Sequence, residues 1–425
     1  MLISHKTYLE NEIEYPSYYK IVANGSFLVF LFFSIFGTAL PFRPEATSVD
    51  DIGTSNIVNQ VVYSTLFLTS VFALIPVRRK LLHFILKEKF ISIFLIWCLI
   101  SLLWSDYSFV SFKRLFQVYT YVLVTLAFLF HMEKEEELIN AFKYILYPYI
   151  VISVIVCLVV PGAKDPDFHT WRGLTSQKNM LGQIALLSVI FCFIFYKYAD
   201  SLNSKVLSLI MMLFSIVLMF GSMSSTAILI FLILLGFGII YSTDKIFHQI
   251  GLGRAVSTSI IGFIVLSLLS VYLFSPEVYK IIPQLFGKDE TFSGRTDLWT
   301  YMFFEISKHP LIGAGYQSFW VVDNINLLIL YEMFVWLPNQ AHNGFIDILN
   351  ELGLIGLLLL IAFIIVYFIR LIRLREKHYW KWFMIVAVIS NFQESTLFRP
   401  GALLGIVVII TYLLLTEKLI RSEKL

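Results

Sequence analysis

Charged residues are scarce in this sequence. Only 14% of its 425 residues are charged, whereas 58% are hydrophobic and the mean hydropathy is +0.80. Soluble globular domains carry about 25% charged residues, so this composition excludes that class and indicates a polytopic membrane protein. The net charge of +3 is explained by the charge bias of membrane insertion, and nothing in it predicts nucleic-acid binding.

Motifs for metal-dependent and nucleotide-dependent chemistry are also absent. The three cysteines lie inside apolar runs, so the sequence predicts neither a disulfide framework nor a cysteine metal site. No HExxH, CxxC, P-loop or GxSxG pattern occurs. The N-terminus lacks a cleavable signal pattern, because the first apolar run starts late and continues as a full span. We therefore expect neither a bound metal nor a cofactor.

About twelve apolar runs approach the length of roughly 20 residues that a membrane-spanning helix needs. They lie near residues 21–40, 57–76, 86–104, 109–130, 138–160, 180–196, 204–220, 224–241, 255–275, 353–370, 381–393 and 401–416. We predict a single all-α integral membrane domain over residues 1–425, with the third and eleventh runs as its weakest spans.

The lysines and arginines predict how these spans are oriented. If the N-terminus is placed inside, most of the 32 basic residues fall in inner segments. Both termini are then cytoplasmic. The long polar segment 276–352, between the ninth and tenth spans, is then extracytoplasmic, as are the shorter loops 161–179 and 391–401. Three polar segments on one face can together form one pocket.

Two helices are predicted within the long segment. Ser293 can cap the first of them, and Pro310 stops it. The second begins near His342, with apolar residues at helical spacing from Phe345 to Leu352.

Arg295 lies in the first turn of the first predicted helix. Free backbone N–H groups and the helix dipole favour an anion there. The guanidinium adds a permanently charged donor fork that suits phosphate. The alternative is a surface arginine that pairs with Asp297 or with a lipid headgroup.

Two further candidates lie at the ends of predicted helices. His342 lies at a positive helix end that disfavours imidazolium, which leaves a neutral ring able to accept a proton. The alternative is an interfacial or capping histidine. Arg172, in "WRGLTSQKNMLGQ", precedes Lys178 and Asn179 at the mouth of the sixth span. Its alternative is an ordinary loop arginine.

Charged residues also occur at the ends of two other spans. Lys113 and Arg114 lie about one turn inside the fourth span, where a buried charge is costly and suggests function. Snorkelling of their side chains toward phosphate headgroups is the alternative. Glu394 and Arg399 flank the outer end of the eleventh span and can pair with each other.

Three sequence blocks together carry a resemblance to a known family. The segment "SGRTDLW…ISKHPLIGAGYQSFW…AHNGFIDILNELGLIG" resembles the signature segment of the O-antigen ligase and polymerase superfamily of bacterial envelope enzymes. The blocks "WSDYSFVSFKRLFQ" and "WRGLTSQKNMLGQ" are similar to its upstream blocks and occur in the same order. The span number and the long outer loop also agree, so the resemblance covers nearly the whole chain.

The resemblance implies a membrane glycosyltransferase with a GT-C-like helical fold. Such enzymes move a glycan from undecaprenyl diphosphate to a hydroxyl of an acceptor sugar, with inversion and without a nucleotide sugar or a required metal. Arg172 and Arg295 match the arginines expected to hold the diphosphate, where positive charge stabilises the leaving group. His342 matches the histidine expected to activate the acceptor hydroxyl.

Other polar residues of these blocks are predicted to contact the substrate. They are Lys113, Arg114, Lys178, Asn179, Tyr316, Gln317, Asn343 and Glu394.

The amino-acid sequence of these blocks resembles polymerases of O-antigen, capsule or exopolysaccharide repeat units more than ligases. A ligase that attaches O-antigen to lipid A–core is the alternative. The resemblance implies the bacterial inner membrane with a periplasmic active site, a lipid-linked glycan donor, an acceptor glycan or lipid A–core, and surrounding membrane lipids. A polymerase would also imply a partner flippase and a chain-length regulator.

A transporter or lipid flippase with twelve spans is an alternative of a different class. It predicts ionisable residues at mid-membrane depth or a visible repeat of two halves. The sequence shows neither, because its polar residues cluster at the outer face.

Overall fold

The computed structural model describes residues 16–36, 57–164, 170–236, 295–334, 338–374 and 379–423. These residues form helices, short 3₁₀ turns and loops, with one isolated β-bridge between Lys164 and Trp171. The helices are α1 Ser17–Phe36, α2 Ile57–Leu74, α3 Arg78–Lys87, α4 Phe90–Ile100, α5 Ser108–His131, α6 Glu135–Val159, α7 Lys178–Lys197, α8 Leu202–Gly221, α9 Ser225–Gly236, α10 Arg295–Lys308, α11 Ile325–Met333, α12 Gly344–Arg373, α13 Lys381–Asn391 and α14 Leu403–Ser422.

The predicted class of an all-α polytopic membrane protein is confirmed. Within the described residues, eight helices are long and apolar enough to cross a membrane: α1, α2, α5, α6, α7, α8, α12 and α14. Three shorter apolar helices correspond to the third, eighth and eleventh predicted runs. The ninth predicted run, 255–275, lies outside the described residues.

The third predicted run is divided by a buried carboxylate. Glu88 is fully buried between α3 and α4, and its side chain accepts hydrogen bonds from the backbone N–H groups of Phe90 (3.0 Å) and Ile91 (3.1 Å). It also pairs with the Arg370 guanidinium and accepts a hydrogen bond from the Tyr412 hydroxyl. The charge that weakened this run as a predicted span therefore starts α4 and joins it to α12 and α14.

The last helix, α14, lies at the centre of the described helices. It is the most completely buried of the eight long apolar helices and packs against α5, α7, α12 and α13. Several chain segments of the site described below lie at the ends of α7, α12 and α13, and another lies at the start of α10.

Helix α12 is broken at one residue near its start. Gly353 has φ 67° and ψ −169°, which is not helical. The N–H of Leu354 donates to the carbonyl of Pro310 at 2.9 Å. The N–H of Ile355 donates to the carbonyl of Leu311 at 3.2 Å. Carbonyls of the segment before α12 therefore accept hydrogen bonds from N–H groups that lose their helical partners at the break. Backbone groups in apolar surroundings need such partners.

The same outside segment also satisfies carbonyls before the break. The N–H of Ala314 donates to the Asn350 carbonyl at 2.9 Å, and the N–H of Gly315 donates to the Glu351 carbonyl at 2.8 Å. Residues 310–315, which we call the splint, therefore bridge both sides of the break. The sequence "HPLIGAG" indicated a helix stop but not this second role.

The helices predicted in the long polar segment are present, with differences at their ends. Helix α10 buries Leu298 and Met302 and ends at Lys308, as predicted. Ser293, the predicted cap, lies outside the described residues. The second predicted helix begins at Gly344, two residues after His342, and continues into the tenth span. Helix α11 was not predicted.

The acidic side of α12 is not a solvated face. Its polar residues are buried as well as its apolar ones: Asp347 is 2% exposed, Asn350 3% and Glu351 0%. This part of α12 is therefore enclosed by other segments of the protein.

Replacing glycine at the break tests the splint. An added Cβ at Gly353 would lie 2.2 Å from the Leu311 carbonyl carbon, and one at Gly313 would lie 2.4 Å from that of Glu351. Both glycines have positive φ, which adds strain of about 1–2 kcal/mol per substitution. We expect Gly353→Ala and Gly313→Ala each to lower the free energy of unfolding in detergent by at least about 2 kcal/mol.

Gly25→Ala is the matched control, because a Cβ at this exposed position of α1 meets nothing within 4 Å. It should be neutral or stabilising by up to about 1 kcal/mol, since alanine is the better helix former. Equal effects of all three substitutions would contradict the interlocking of splint and helix.

Candidate functional site

Four side chains from three separate parts of the chain surround the carboxylate of Glu394. The Gln340 amide donates to its Oε2 at 2.6 Å, and His342 Nδ1 lies 3.2 Å from the same oxygen. On the other oxygen, Oε1, the Asn179 amide donates at 3.4 Å and Arg295 Nη2 lies at 3.8 Å. The structure thus brings four of the predicted site residues together: Asn179, Arg295, His342 and Glu394.

This cluster is largely withdrawn from solvent. The side chains of Arg295, Glu394 and His342 keep 13%, 16% and 18% of their surface exposed. Burial alone would raise the pKa of Glu394, but the charge and hydrogen bond of His342, the charge of Arg295 and the Gln340 amide outweigh it. The pKa of Glu394 is therefore below its ordinary value, and the group is a carboxylate at neutral pH.

The backbone around His342 is held in a rare conformation. His342 has φ 49°, in the left-handed region that few non-glycine residues adopt. The next residue, Asn343, caps α12 by accepting hydrogen bonds from the N–H groups of Phe345 and Ile346. The Asn343 side chain thus ends the turn that presents His342; the predicted contact of Asn343 with substrate stays a prediction.

A second buried carboxylate fixes the segments on either side of the cluster. Asp347 accepts hydrogen bonds from the Ala341 N–H at 3.2 Å and from Trp320 Nε1 at 2.8 Å. It also accepts from the Ser395 hydroxyl and pairs with Arg399 Nη1 at 3.0 Å. Ala341 and Ser395 are the chain neighbours of His342 and Glu394, so Asp347 positions both.

Arg399 does not pair with Glu394, which was one alternative in the sequence. Instead it joins Asp347 and the carbonyl of Asn339, whereas Glu394 faces His342. The reason is geometric, because the segment 338–342 lies between them and offers a partner to each.

Arg172 lies in the loop before α7. Its Nη2 donates to the Lys164 carbonyl at 3.2 Å, and its backbone N–H donates to the Ala163 carbonyl. Its Nε is buried and has no hydrogen-bond partner among the residues that the structure describes. Arg172 is not one of the four side chains around Glu394, so its joint action with Arg295 and His342 is a proposal.

Arg114 and Gln317 have structural contacts. The Arg114 guanidinium donates to the carbonyls of Gln317 and Trp320. Gln317 is 5% exposed and has φ 54°, so the arginine stabilises an unusual turn. The Lys113 ammonium lies 4.9 Å from the centre of the Phe109 ring. For these three residues, contact with substrate stays a prediction.

Tyr316 is fully buried in the core. Its hydroxyl donates to the Phe398 carbonyl, and its N–H donates to the Ser101 hydroxyl at 3.0 Å. Lys178 is the half-buried first residue of α7. The binding roles predicted for both also stay predictions.

A small pocket on the α7 side of Glu394 has an interior space of about 20 Å³, which is room for about one water molecule. Its polar lining consists of Asn179, Gln183, Ser224, Thr226, Ser390 and Glu394. Leu186, Ala227 and Ile230 complete the wall.

Sequence reasoning missed Gln340 and the positioning role of Asp347. "NQAHNGFID" contained a signal for both, since a helix N-cap at Asn343 puts Asp347 one turn into α12, close to the preceding loop. The polar lining of the pocket gave no such signal, because single serines and glutamines at span ends are ordinary in membrane proteins.

Comparison with known proteins places this arrangement in a class. Residues 209–361 match the family model described as O-antigen ligase, a range that contains Arg295 and His342 and ends before Glu394. The chain is also 43% identical over 79 residues to the "Exopolysaccharide production protein ExoQ" of Rhizobium meliloti (strain 1021). That alignment spans 18% of this chain and 18% of the relative. The two matches confirm the predicted relationship to the O-antigen ligase and polymerase superfamily.

The lowered pKa of Glu394 predicts a pH-dependent contribution to stability. A carboxyl with a pKa below its unfolded value of about 4.3 stabilises the fold when ionised. The contribution is fully present above the unfolded pKa and is lost as pH falls through the folded pKa. We expect the melting temperature of wild type to exceed that of Glu394→Gln at neutral pH, with the difference shrinking below about pH 4.

Glu423→Gln is the control, because Glu423 is half-exposed and its pair with Lys87, at 3.4 Å, is a weak surface ion pair. Its melting temperature should stay close to that of wild type at every pH. If the melting temperature of wild type instead rose relative to that of Glu394→Gln on acidification, the charge of Glu394 would be destabilising.

Proposed function

We propose that this protein transfers a glycan from undecaprenyl diphosphate to a hydroxyl of an acceptor sugar at the Glu394–His342–Arg295 cluster. The observation that supports the proposal most strongly is the meeting of a proton acceptor and a phosphate-binding group at one largely buried carboxylate. The match of residues 209–361 to the O-antigen ligase model supports the same reaction class.

His342 is the proposed base. In the neutral form of His342, the form that acts as the base, the Nδ1 that faces the Glu394 carboxylate at 3.2 Å carries the proton and donates to it. The opposite ring nitrogen, Nε2, then holds a lone pair that can accept the proton of the acceptor hydroxyl. The carboxylate also stabilises the imidazolium that forms, as the aspartate carboxylate does for the histidine of hydrolytic triads.

Arg295 and Arg172 are proposed to hold the diphosphate. The contact of Arg295 with Glu394, at 3.8 Å, is longer than a hydrogen bond and occupies little of a guanidinium with five donors. Arg172 has a buried Nε whose donor is unused within the described residues. Both groups can therefore donate to an incoming anion.

The reaction is a single displacement. The acceptor oxygen forms a bond to the anomeric carbon while the bond from that carbon to the diphosphate oxygen breaks. The proton moves to His342 Nε2, and the electron pair of the broken bond leaves with the diphosphate. Attack opposite the leaving group inverts the anomeric centre. The arginines stabilise the charge that develops on the leaving oxygens, so no metal is needed in this scheme.

The acceptor decides between two versions of this function. A second lipid-linked repeat unit would make the protein a polymerase, which would work beside a flippase and a chain-length regulator. Lipid A–core would make it a ligase. The name of the relative refers to the production of an exopolysaccharide and not to lipid A–core. We therefore propose the polymerase version, in the inner membrane with both termini cytoplasmic and the site periplasmic.

Incubation of purified protein with one undecaprenyl-diphosphate-linked repeat unit tests the proposal. A ladder of lengthening lipid-linked glycan on a gel is the expected product. We expect His342→Ala to slow ladder formation by about 10²–10⁴-fold, the usual contribution of a general base. Arg295→Ala should slow it by about 10²–10³-fold, whereas Arg295→Lys should keep part of the rate.

The controls are His309→Ala and Lys308→Ala, which remove another histidine and another basic residue at the exposed far end of α10. Both should leave the ladder unchanged. Transfer that occurs only after lipid A–core is added would assign a ligase. A full ladder from His342→Ala would refute the mechanism, and no transfer to either acceptor by folded wild type would favour the transporter alternative.

A further inference from the structure

A short basic helix, α3, lies at the end of the described helices opposite the candidate site. Helix α14 begins beside Thr396, in the segment that carries Glu394, and ends at Ser422. Lys87 of α3 pairs with Glu423, directly after that end, at 3.4 Å. The ten residues of α3 are too few to cross a membrane, so α3 is a connection between α2 and α4 and not a span.

One side of α3 packs on the protein. Phe84 is buried, and its ring meets the ring of Phe130 on α5 at 5.6 Å between centres. Directly after α3, the buried carboxylate of Glu88 pairs with Arg370. These contacts fix how α3 is rotated about its axis, so they also determine which of its side chains face outward.

The outward side of α3 carries large apolar side chains. Leu82, Ile85 and Leu86 are all exposed, and their spacing of three and four residues puts them on one face of the helix. The exposed side chains of Ile75, just after α2, and of Phe90, at the start of α4, lie on either side of it in the chain. Because the exposed surface of a spanning helix such as α2 faces lipid, the apolar face of α3 continues a lipid-facing surface.

The rest of the outward side is strongly basic. Five exposed cations lie in α3 or next to it: Arg78, Arg79, Lys80, Lys87 and Lys89. The acid in the same stretch, Glu88, is fully buried against Arg370 and presents no charge at the surface. Positive charge therefore accumulates beside an exposed apolar face.

Most of this positive charge has no partner on the protein. Lys80 and Lys87 each have one acidic neighbour near the end of α14. Arg78, Arg79 and Lys89 form no ion pair within the described ranges of the chain. Cations in the first turn of a helix oppose its dipole, so the cluster at residues 78–80 does not stabilise α3 itself. An anion from outside the protein would compensate this charge.

We propose that α3 is an interfacial helix that binds the headgroups of anionic phospholipids, with its apolar face in the adjoining acyl layer. A helix with one apolar face and a polar face rich in lysine and arginine is the type that lies in a membrane surface. Guanidinium groups suit the phosphodiester of a headgroup. The charge bias of membrane insertion accounts for a basic loop, but not for a folded helix with an exposed apolar face. The assignment does not depend on the proposed transfer reaction.

Depth-dependent fluorescence quenching tests where the apolar face lies. Leu86→Cys is labelled with bimane in the full-length protein in nanodiscs of phosphatidylcholine with a minority of phosphatidylglycerol. The three native cysteines are buried and stay unlabelled. A nitroxide on the acyl chain near the headgroup should quench the label more strongly than one at the chain end. Aqueous iodide should quench it at least about fivefold less than a label at Asp200→Cys, an exposed loop position.

The identity of the lipid that carries the nitroxide tests the charge. At equal mole fraction, labelled phosphatidylglycerol should associate with the Leu86 position at least about fivefold more strongly than labelled phosphatidylcholine, the effect of one basic residue near an anionic surface. Arg78→Gln/Arg79→Gln should remove most of this preference. Salt at about 1 M should remove it without any substitution, because it screens charges beyond a few ångströms.

Lys197→Gln/Lys205→Gln is the matched control. It also removes two basic residues, from the end of α7 and the start of α8, at the same end of the protein. It should keep the preference for phosphatidylglycerol. Equal association of the two lipids with unsubstituted α3 charges, or the same loss in both double variants, would overturn the proposal. Melting temperatures identify a variant that fails to fold, and the salt measurement then decides alone.

Two other results would also overturn the proposal. Iodide quenching as strong at Leu86 as at Asp200 would mean that the apolar face lies in water. A Leu86 label shielded from both lipid nitroxides and iodide would mean that protein covers the face, such as a second copy of this chain.

Discussion

Parts of the chain that are far apart in sequence direct hydrogen bonds at one buried carboxylate, that of Asp347. The Ala341 N–H and the Ser395 hydroxyl are two of the donors, and they neighbour His342 and Glu394. A buried carboxylate without partners would be very costly, so each donor is held firmly in place. The pairing of His342 with Glu394 thus depends on a charge that lies outside the pair.

Asp347 can be buried at the site because α12 is broken below it. Gly353 interrupts the helix, and the splint of residues 310–315 accepts and donates the hydrogen bonds that the break leaves open. Backbone groups in apolar surroundings have no water to replace such partners, so break and splint require each other. The polar turns of α12 can then enter the site while its apolar turns continue as a span.

Much of the fold followed from the sequence, because spanning helices are specified by long apolar runs. The site residues Arg295 and His342 were predicted from their places at helix ends and from the sequence motifs that contain them. The structure brings both to the Glu394 carboxylate. The partner choice of Glu394 was not predictable, since pairing between distant loops depends on packing that no local pattern encodes. Helix α11 was missed because its apolar stretch is too short to stand out.

The proposed chemistry divides the roles within the site: the arginines hold the diphosphate, and His342 accepts the proton of the acceptor hydroxyl. The most direct test is a cryo-electron microscopy structure with bound undecaprenyl diphosphate. The account predicts that the diphosphate contacts the Arg295 guanidinium. Diphosphate bound at the buried Glu88–Arg370 pair, with Arg295 uninvolved, would contradict it.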